Sequence, residues 1–143
     1  IVEPLAPEDR TRVAVVDFNG LGLSSDEVMI LTDRLRAELV DTGRFTVVER
    51  ERMNEILSEQ GFQQSGLCST DDCVVEMGRL VGVGSIIAGT FGKLGDTYTV
   101  TARLIDVESG EITARASEDC ACAVDELLRS MHRVSVLLAS RTE

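Results

Sequence analysis

The feature that most constrains this chain is an apolar run close to its start. From Arg12 to Phe18 the sequence is a nearly unbroken apolar run through Val13, Ala14, Val15 and Val16, with Asp17 the one polar residue before Phe18. A strand with one wet face alternates apolar and polar residues, whereas an unbroken valine-rich run fits a strand buried on both faces. Such a strand needs helices on both sides of its sheet, and the next residues supply one. Gly20 and Gly22 mark a turn, Ser24 with Glu27 forms a capping-box signature, and Val28, Leu31, Leu35 and Leu39 draw one apolar stripe. Gly43 stops that helix, and Phe45 to Val48 reads as a second strand. A strand–helix–strand unit of this kind places its strands parallel with a right-handed crossover.

The rest of the chain extends this pattern. Glu49 to Gln60 predicts a short helix with Met53, Ile56 and Leu57 inward, and Phe62 to Leu67 a polar loop. Ser69 or Thr70 can cap a third helix that buries Val74, Met77, Leu80 and Val81 before Gly82. Val83 to Gly92 follows as a strand. Leu94-Gly95-Asp96 turns into an alternating strand over 98–107, and Ser109-Gly110 turns into a fifth strand in which Ile112, Ala114 and Ala116 share one face. A last helix carries Val124, Leu127, Leu128, Met131, Val134 and Leu138. The expectation is an α/β fold in a single domain over 12–140. It has a mixed five-stranded sheet with packed helices, in the order β-α-β-α-α-β-β-β-α, and residues 1–11, which hold both prolines, form a lead-in tail.

Charge and composition exclude several functions. With 25 acidic against 14 basic side chains the net charge is −11, and Lys93 is the only lysine, so a nucleic acid partner is not expected. No stretch approaches the roughly 20 apolar residues that span a bilayer. The parts of an enzyme are missing too. His132 is the only histidine and falls inside the amphipathic last helix. Asp106, Glu108 and Glu111 flank a hairpin turn without the spacing of a calcium loop. Gly82-x-Gly84 precedes a strand, and Gly20-x-Gly22 lacks a third glycine and a phosphate-binding lysine. Neither enzymatic activity nor a cofactor is expected.

Two sets of residues stand out. Cys68, Cys73, Cys120 and Cys122 are an even number of cysteines in a short chain. Disulfides in an oxidising compartment are the favoured reading, with Cys68–Cys73 the easiest pair and Cys120–Cys122 or crossed pairs open. A four-cysteine zinc site and unpaired buried thiols are the rivals. The element order predicts that all four gather at one rim of the sheet. The second set is the polar face of the last two strands. Thr99, Thr101, Arg103, Thr113, Arg115 and Ser117 form either a solvated face or a partner-docking surface with the arginines as anchors.

Several stretches also resemble the CsgG/LpoB-like family of cell-envelope proteins, related in fold to the amino-terminal domain of TolB. They are Val13-Ala-Val-Val-Asp-Phe18, the run from Leu39 to Arg50, Leu57-Ser-Glu-Gln60 with Ser65-Gly66, the run from Leu80 to Gly89, and Ala102 to Ile112. Their order and spacing cover most of residues 12–138. The resemblance implies a bacterial protein at the periplasmic face of the outer membrane, tethered by a segment missing from this chain, which opens at Ile1 and not at methionine. Members include the curli secretion channel and an activator of a peptidoglycan synthase, both of which work through protein contacts. The implied function is a non-enzymatic protein-binding module in envelope assembly or regulation, with another envelope protein or further copies of itself as partner. The alternative is an accessory subunit of a curli-type secretion apparatus. The channel branch inserts long membrane-spanning hairpins beside strands that here join through Leu94-Gly95-Asp96, so this chain is not expected to span a membrane or form a channel alone.

Overall fold

The structure is a computed structural model, and it describes residues 2–61 and 70–141. One mixed sheet runs through it. Its strands are β1 (Thr11–Val15), β2 (Asn19–Leu21), β3 (Phe45–Val47), β4 (Ser85–Leu94), β5 (Thr97–Asp106) and β6 (Ile112–Cys120). The helices are α1 (Ser25–Asp41), α2 (Arg50–Glu59), α3 (Asp71–Val81) and α4 (Leu127–Ser140). The spatial order is β3-β1-β4-β5-β6; the pairs β1–β3 and β1–β4 are parallel, and β4–β5 and β5–β6 antiparallel.

The valine run does what its composition requires. Val13, Ala14 and Val15 are all fully buried, but successive side chains enter different cores. Val13 and Val15 join Leu31, Leu35 and Leu39 of α1 and Met131, Val134 and Leu138 of α4 on one face. Ala14 and Val16 join Met53 and Leu57 of α2 and Val74 and Val81 of α3 on the other. The capping box at Ser24 forms in both directions: its hydroxyl accepts from the Glu27 N–H at 3.1 Å, and its own N–H donates to Glu27 Oε1 at 2.8 Å. Gly82 ends α3 in the left-handed conformation (φ 82°), where a Cβ would be strained.

Two features depart from the sequence reading, and both are bulges. The segment around Gly20, expected as a turn, is strand β2, so the sheet has six strands and not five. Val15 pairs with Ile87 and Asn19 with Thr90. Residues 16–18 thus face only Ala88 and Gly89 along β4, and the extra residue breaks one strand into β1 and β2. Phe18, at the break, turns into the core and stacks on Phe91 with ring centroids 4.9 Å apart. The second bulge lies in β6. Leu104 pairs with Ala114 but Ile105 with Ile112, so Thr113 is the extra residue. Ile112 therefore shares a face with Ile105 and not with Ala114 and Ala116, and it is 40% exposed.

The lead-in residues lie against the domain. The Leu5 N–H donates to the Gly43 carbonyl at 2.8 Å, Val2 packs against the α1/α4 core, and a short 3₁₀ turn spans Pro7–Asp9. The β5–β6 turn is held by Asp106, whose Oδ2 accepts the Ser109 N–H at 2.8 Å. That bond holds the Asp106 carboxyl below its usual range.

Candidate functional site

Helices α1 and α4 pack on one face of the sheet, burying Val13, Val15, Ile87, Val100, Ala102, Leu104, Ala114 and Ala116. On the other face, α2 and α3 bury Ile86, Ala88, Ile105 and Val107. Toward the free edge at β6, no described helix lies over the sheet. Thr101, Thr113, Arg115 and Ser117 are exposed there, and Thr99 and Arg103 are half-buried. Pairing sets the pattern: Arg103 stands opposite Arg115, Thr101 opposite Ser117, and Thr99 opposite Asp119.

The two arginines are not equivalent. Like charges directly opposite on neighbouring strands repel. Arg103 resolves this by turning to Asp71 in the first turn of α3, donating to Oδ1 from Nε at 3.1 Å and from Nη2 at 2.7 Å. It marks the seam where the helical layer stops. Arg115 stays exposed, and its carbonyl accepts a hydrogen bond from the Arg141 guanidinium beyond α4. Of the two expected anchors, Arg115 is exposed and Arg103 is committed within the fold.

The three described cysteines, Cys73, Cys120 and Cys122, do not gather at one rim. Cys73 sits in the first turn of α3, where its N–H donates to the Thr70 cap hydroxyl at 3.2 Å, and it is disulfide-bonded. Cys68 and the pairing expected for it lie outside the described residues. Cys120 ends β6 on the opposite face of the sheet, against the α1/α4 core, and is joined to Cys122 in a disulfide with Cα atoms 5.2 Å apart. The first turn of α3 lies at the level of Arg103, while β6 runs on for five residues past Arg115. The ligand atoms of Cys120, Cys122 and Glu126 lie within 4.8 Å of one another, yet both sulfurs are spent on each other, so in this state they cannot bind a metal.

Sequence reasoning missed a charged cluster at the end of β1. Asp17, Asp33, Arg36 and Arg50 come from the bulge, from α1 and from the start of α2. Arg36, 8% exposed, donates to the Val15 carbonyl and to Asp33 Oδ1, the latter at 2.7 Å. Arg50 donates to Asp33 from Nη2 at 2.8 Å and also pairs with Asp17. Burial, with the like charge of Arg50, lowers the Arg36 pKa. Burial alone would lower Arg50 as well, but its bond to Asp33 and the charges of Asp17 and Asp33 outweigh it, and its pKa rises. These charges pair with one another, although Arg36 Nε is buried without a hydrogen-bond partner among the described residues, and the pairs tie α1 and α2 to the end of β1. Periodicity could not reveal it; the only signal was that Asp17 and Arg50 fall at or next to the end of two of the stretches quoted above.

The remaining recesses are plainer. One of about 530 Å³ beside Gly20 is lined by Asp17 and Asp26 with no basic residue, an environment that repels phosphate. An apolar recess of about 190 Å³ lies between Ile30 and Leu31 of α1 and Val124 and Leu128. His132 is exposed and places Nδ1 2.9 Å from Glu38 Oε1, tying α4 to α1.

This is the fold of LpoB-like domains. The LpoB C-terminal domain from Escherichia coli superposes with a TM-score of 0.65 at 20% identity, over 77% of this chain and 82% of that one. Lipoprotein GNA1162 from Neisseria meningitidis gives 0.65 at 15% identity, over 92% and 98%. PelC from Paraburkholderia phytofirmans, solved as a dodecamer, gives 0.60 at 16% identity, over 96% and 92%. No curated protein matches the sequence significantly. The chain belongs to the CsgG family, whose model, described as curli production assembly/transport component CsgG, matches residues 3–96.

Proposed function

We propose that this chain is a non-enzymatic, periplasmic protein-binding module in envelope assembly or regulation, tethered to the outer membrane through a segment outside it. The half-sheet around Thr101, Arg115 and Ser117 is its docking surface. The observation that carries this reading is the uneven covering of the sheet: on the α1/α4 face the core continues to Ala114 and Ala116 of the edge strand, whereas on the other face the described helices stop at Arg103. A polar sheet face beside an unpaired edge strand offers hydrogen bonds from side chains and backbone together. Arg115 suits the rim of such a surface, where its planar fork can pair with carboxylates. The family model favours a second reading, an accessory subunit of a curli-type secretion apparatus.

Site-specific photo-crosslinking in the source cells tests both readings. A crosslinker at Thr101 or Ser117 should capture an envelope protein, while one at Glu55, on the exposed surface of α2, should not. A cell-wall synthase in the adduct supports the first reading and a secretion channel the second; a second copy of the chain would make the face a self-assembly surface. Arg115→Ser should reduce the adduct while changing stability by less than about 0.5 kcal/mol. Adducts at Glu55 with none at the sheet face would refute the assignment.

A further inference from the structure

The Cys120–Cys122 disulfide is poorly placed to be a structural staple. It closes a loop with a sequence separation of 2, so it removes little freedom from the unfolded chain. It also ties together residues that are already held. Cys120 is fixed opposite Tyr98 in the β5–β6 ladder, and the Ala123 carbonyl accepts the Glu126 N–H at 3.0 Å as the chain enters α4. The surroundings point elsewhere. Cys122 lines an open recess of about 530 Å³ with Lys93, Asp96, Tyr98, Ala121, Ala123 and Val124. Lys93, the only lysine in the chain, holds its amino group 5.5 Å over the Tyr98 ring, next to the strand that carries Cys120. A cation beside a disulfide favours the thiolates that form and leave during exchange.

We infer that Cys120–Cys122 is an exchangeable disulfide, opened through this recess by the dithiol of a partner protein. A partner thiolate attacks the Cys122 sulfur, the sulfur–sulfur bond breaks, and the electron pair leaves on Cys120, which takes up a proton. The partner's second thiol loses its proton and attacks the mixed disulfide, releasing Cys122 as a thiolate that is protonated in turn. The chain gains two electrons and two protons, and the partner dithiol becomes a disulfide. Lys93 is a positioning charge for this step, and Asp96 on the same recess opposes it.

Trypsin makes the test clean. Cleavage after Arg115 and Arg129 puts Cys120 and Cys122 on one peptide, and cleavage after Arg52 and Arg79 puts Cys68 and Cys73 on another. The folded, full chain is incubated with dithiothreitol as the dithiol probe, quenched with acid, alkylated, digested and weighed. The 116–129 peptide should become doubly alkylated in the native protein, with the thermal midpoint almost unmoved. The rate should fall severalfold in Lys93→Gln, recover in Lys93→Arg and rise in Asp96→Asn. The inference is overturned if the pair stays oxidised until urea unfolds the chain, or if its opening lowers the thermal midpoint as far as loss of a core contact does. It is equally overturned if both charge variants react at the wild-type rate.

Discussion

Gly89 ends the fourth of the stretches that place this chain in its family, and the structure says why a side chain is not accepted there. A Cβ on Gly89 would overlap the Thr101 carbonyl and lie 2.6 Å from Cε2 and 2.9 Å from Cζ of Phe18. Phe18 cannot retreat, because it is 2% exposed and stacked on Phe91. The carbonyl belongs to the β5 backbone, held in the antiparallel ladder. Overpacking costs about 1–3 kcal/mol, and with one of the two obstacles being backbone, Gly89→Ala belongs at the upper end, about 3 kcal/mol. For a domain of this size that lowers the thermal midpoint by about 6–12 °C. Phe18→Leu alone should cost about 1–2 kcal/mol through the lost ring stacking and shape. In the double variant the smaller side chain makes room for the methyl, so the combined loss should fall short of the sum by about 1 kcal/mol. The chain has no tryptophan, so urea unfolding is followed by far-ultraviolet circular dichroism. A wild-type midpoint for Gly89→Ala, or strict additivity with Phe18→Leu, would refute the reasoning.

Asp33→Ala removes the carboxylate shared by Arg36 and Arg50, and urea midpoints should report a loss of about 1–2 kcal/mol even though alanine is the better helix former. The figure is modest because Asp33 is half exposed and Asp17 remains 3.8 Å from Arg36. Among the described residues no helix is long and apolar enough to cross a membrane, and β4 and β5 join through Gly95 and Asp96 alone. The purified chain should therefore leave dye-loaded liposomes sealed, and dye release at modest concentration would count against the binding-module reading.

The sequence by itself determined the local structure and much of the architecture. The uninterrupted valines require a strand covered on both sides, and Val13, Ala14 and Val15 are fully buried. Ser24 and Glu27 announce a helix start, and both halves of their capping box form. Such signals survive because they depend on neighbours within one turn or one pleat. Tertiary structure decided whatever rests on register. Whether Gly20 is a turn or a strand depends on how β1 and β4 are offset, and a single extra residue at 16–18 settles it. One extra residue in β6 likewise moves Ile112 to the other face, because side chains alternate with a period of two. Arg103 and Arg115 are interchangeable in the sequence pattern, yet the place where α3 begins gives one of them Asp71 and leaves the other exposed. The same holds for Asp17 and Arg50, which lie 33 residues apart and meet only because the β1–α1–β3 crossover returns the chain beside its start. Hydrophobic period fixes which side of an element is buried, but the partners of a polar group are set by offsets between elements that no local pattern records.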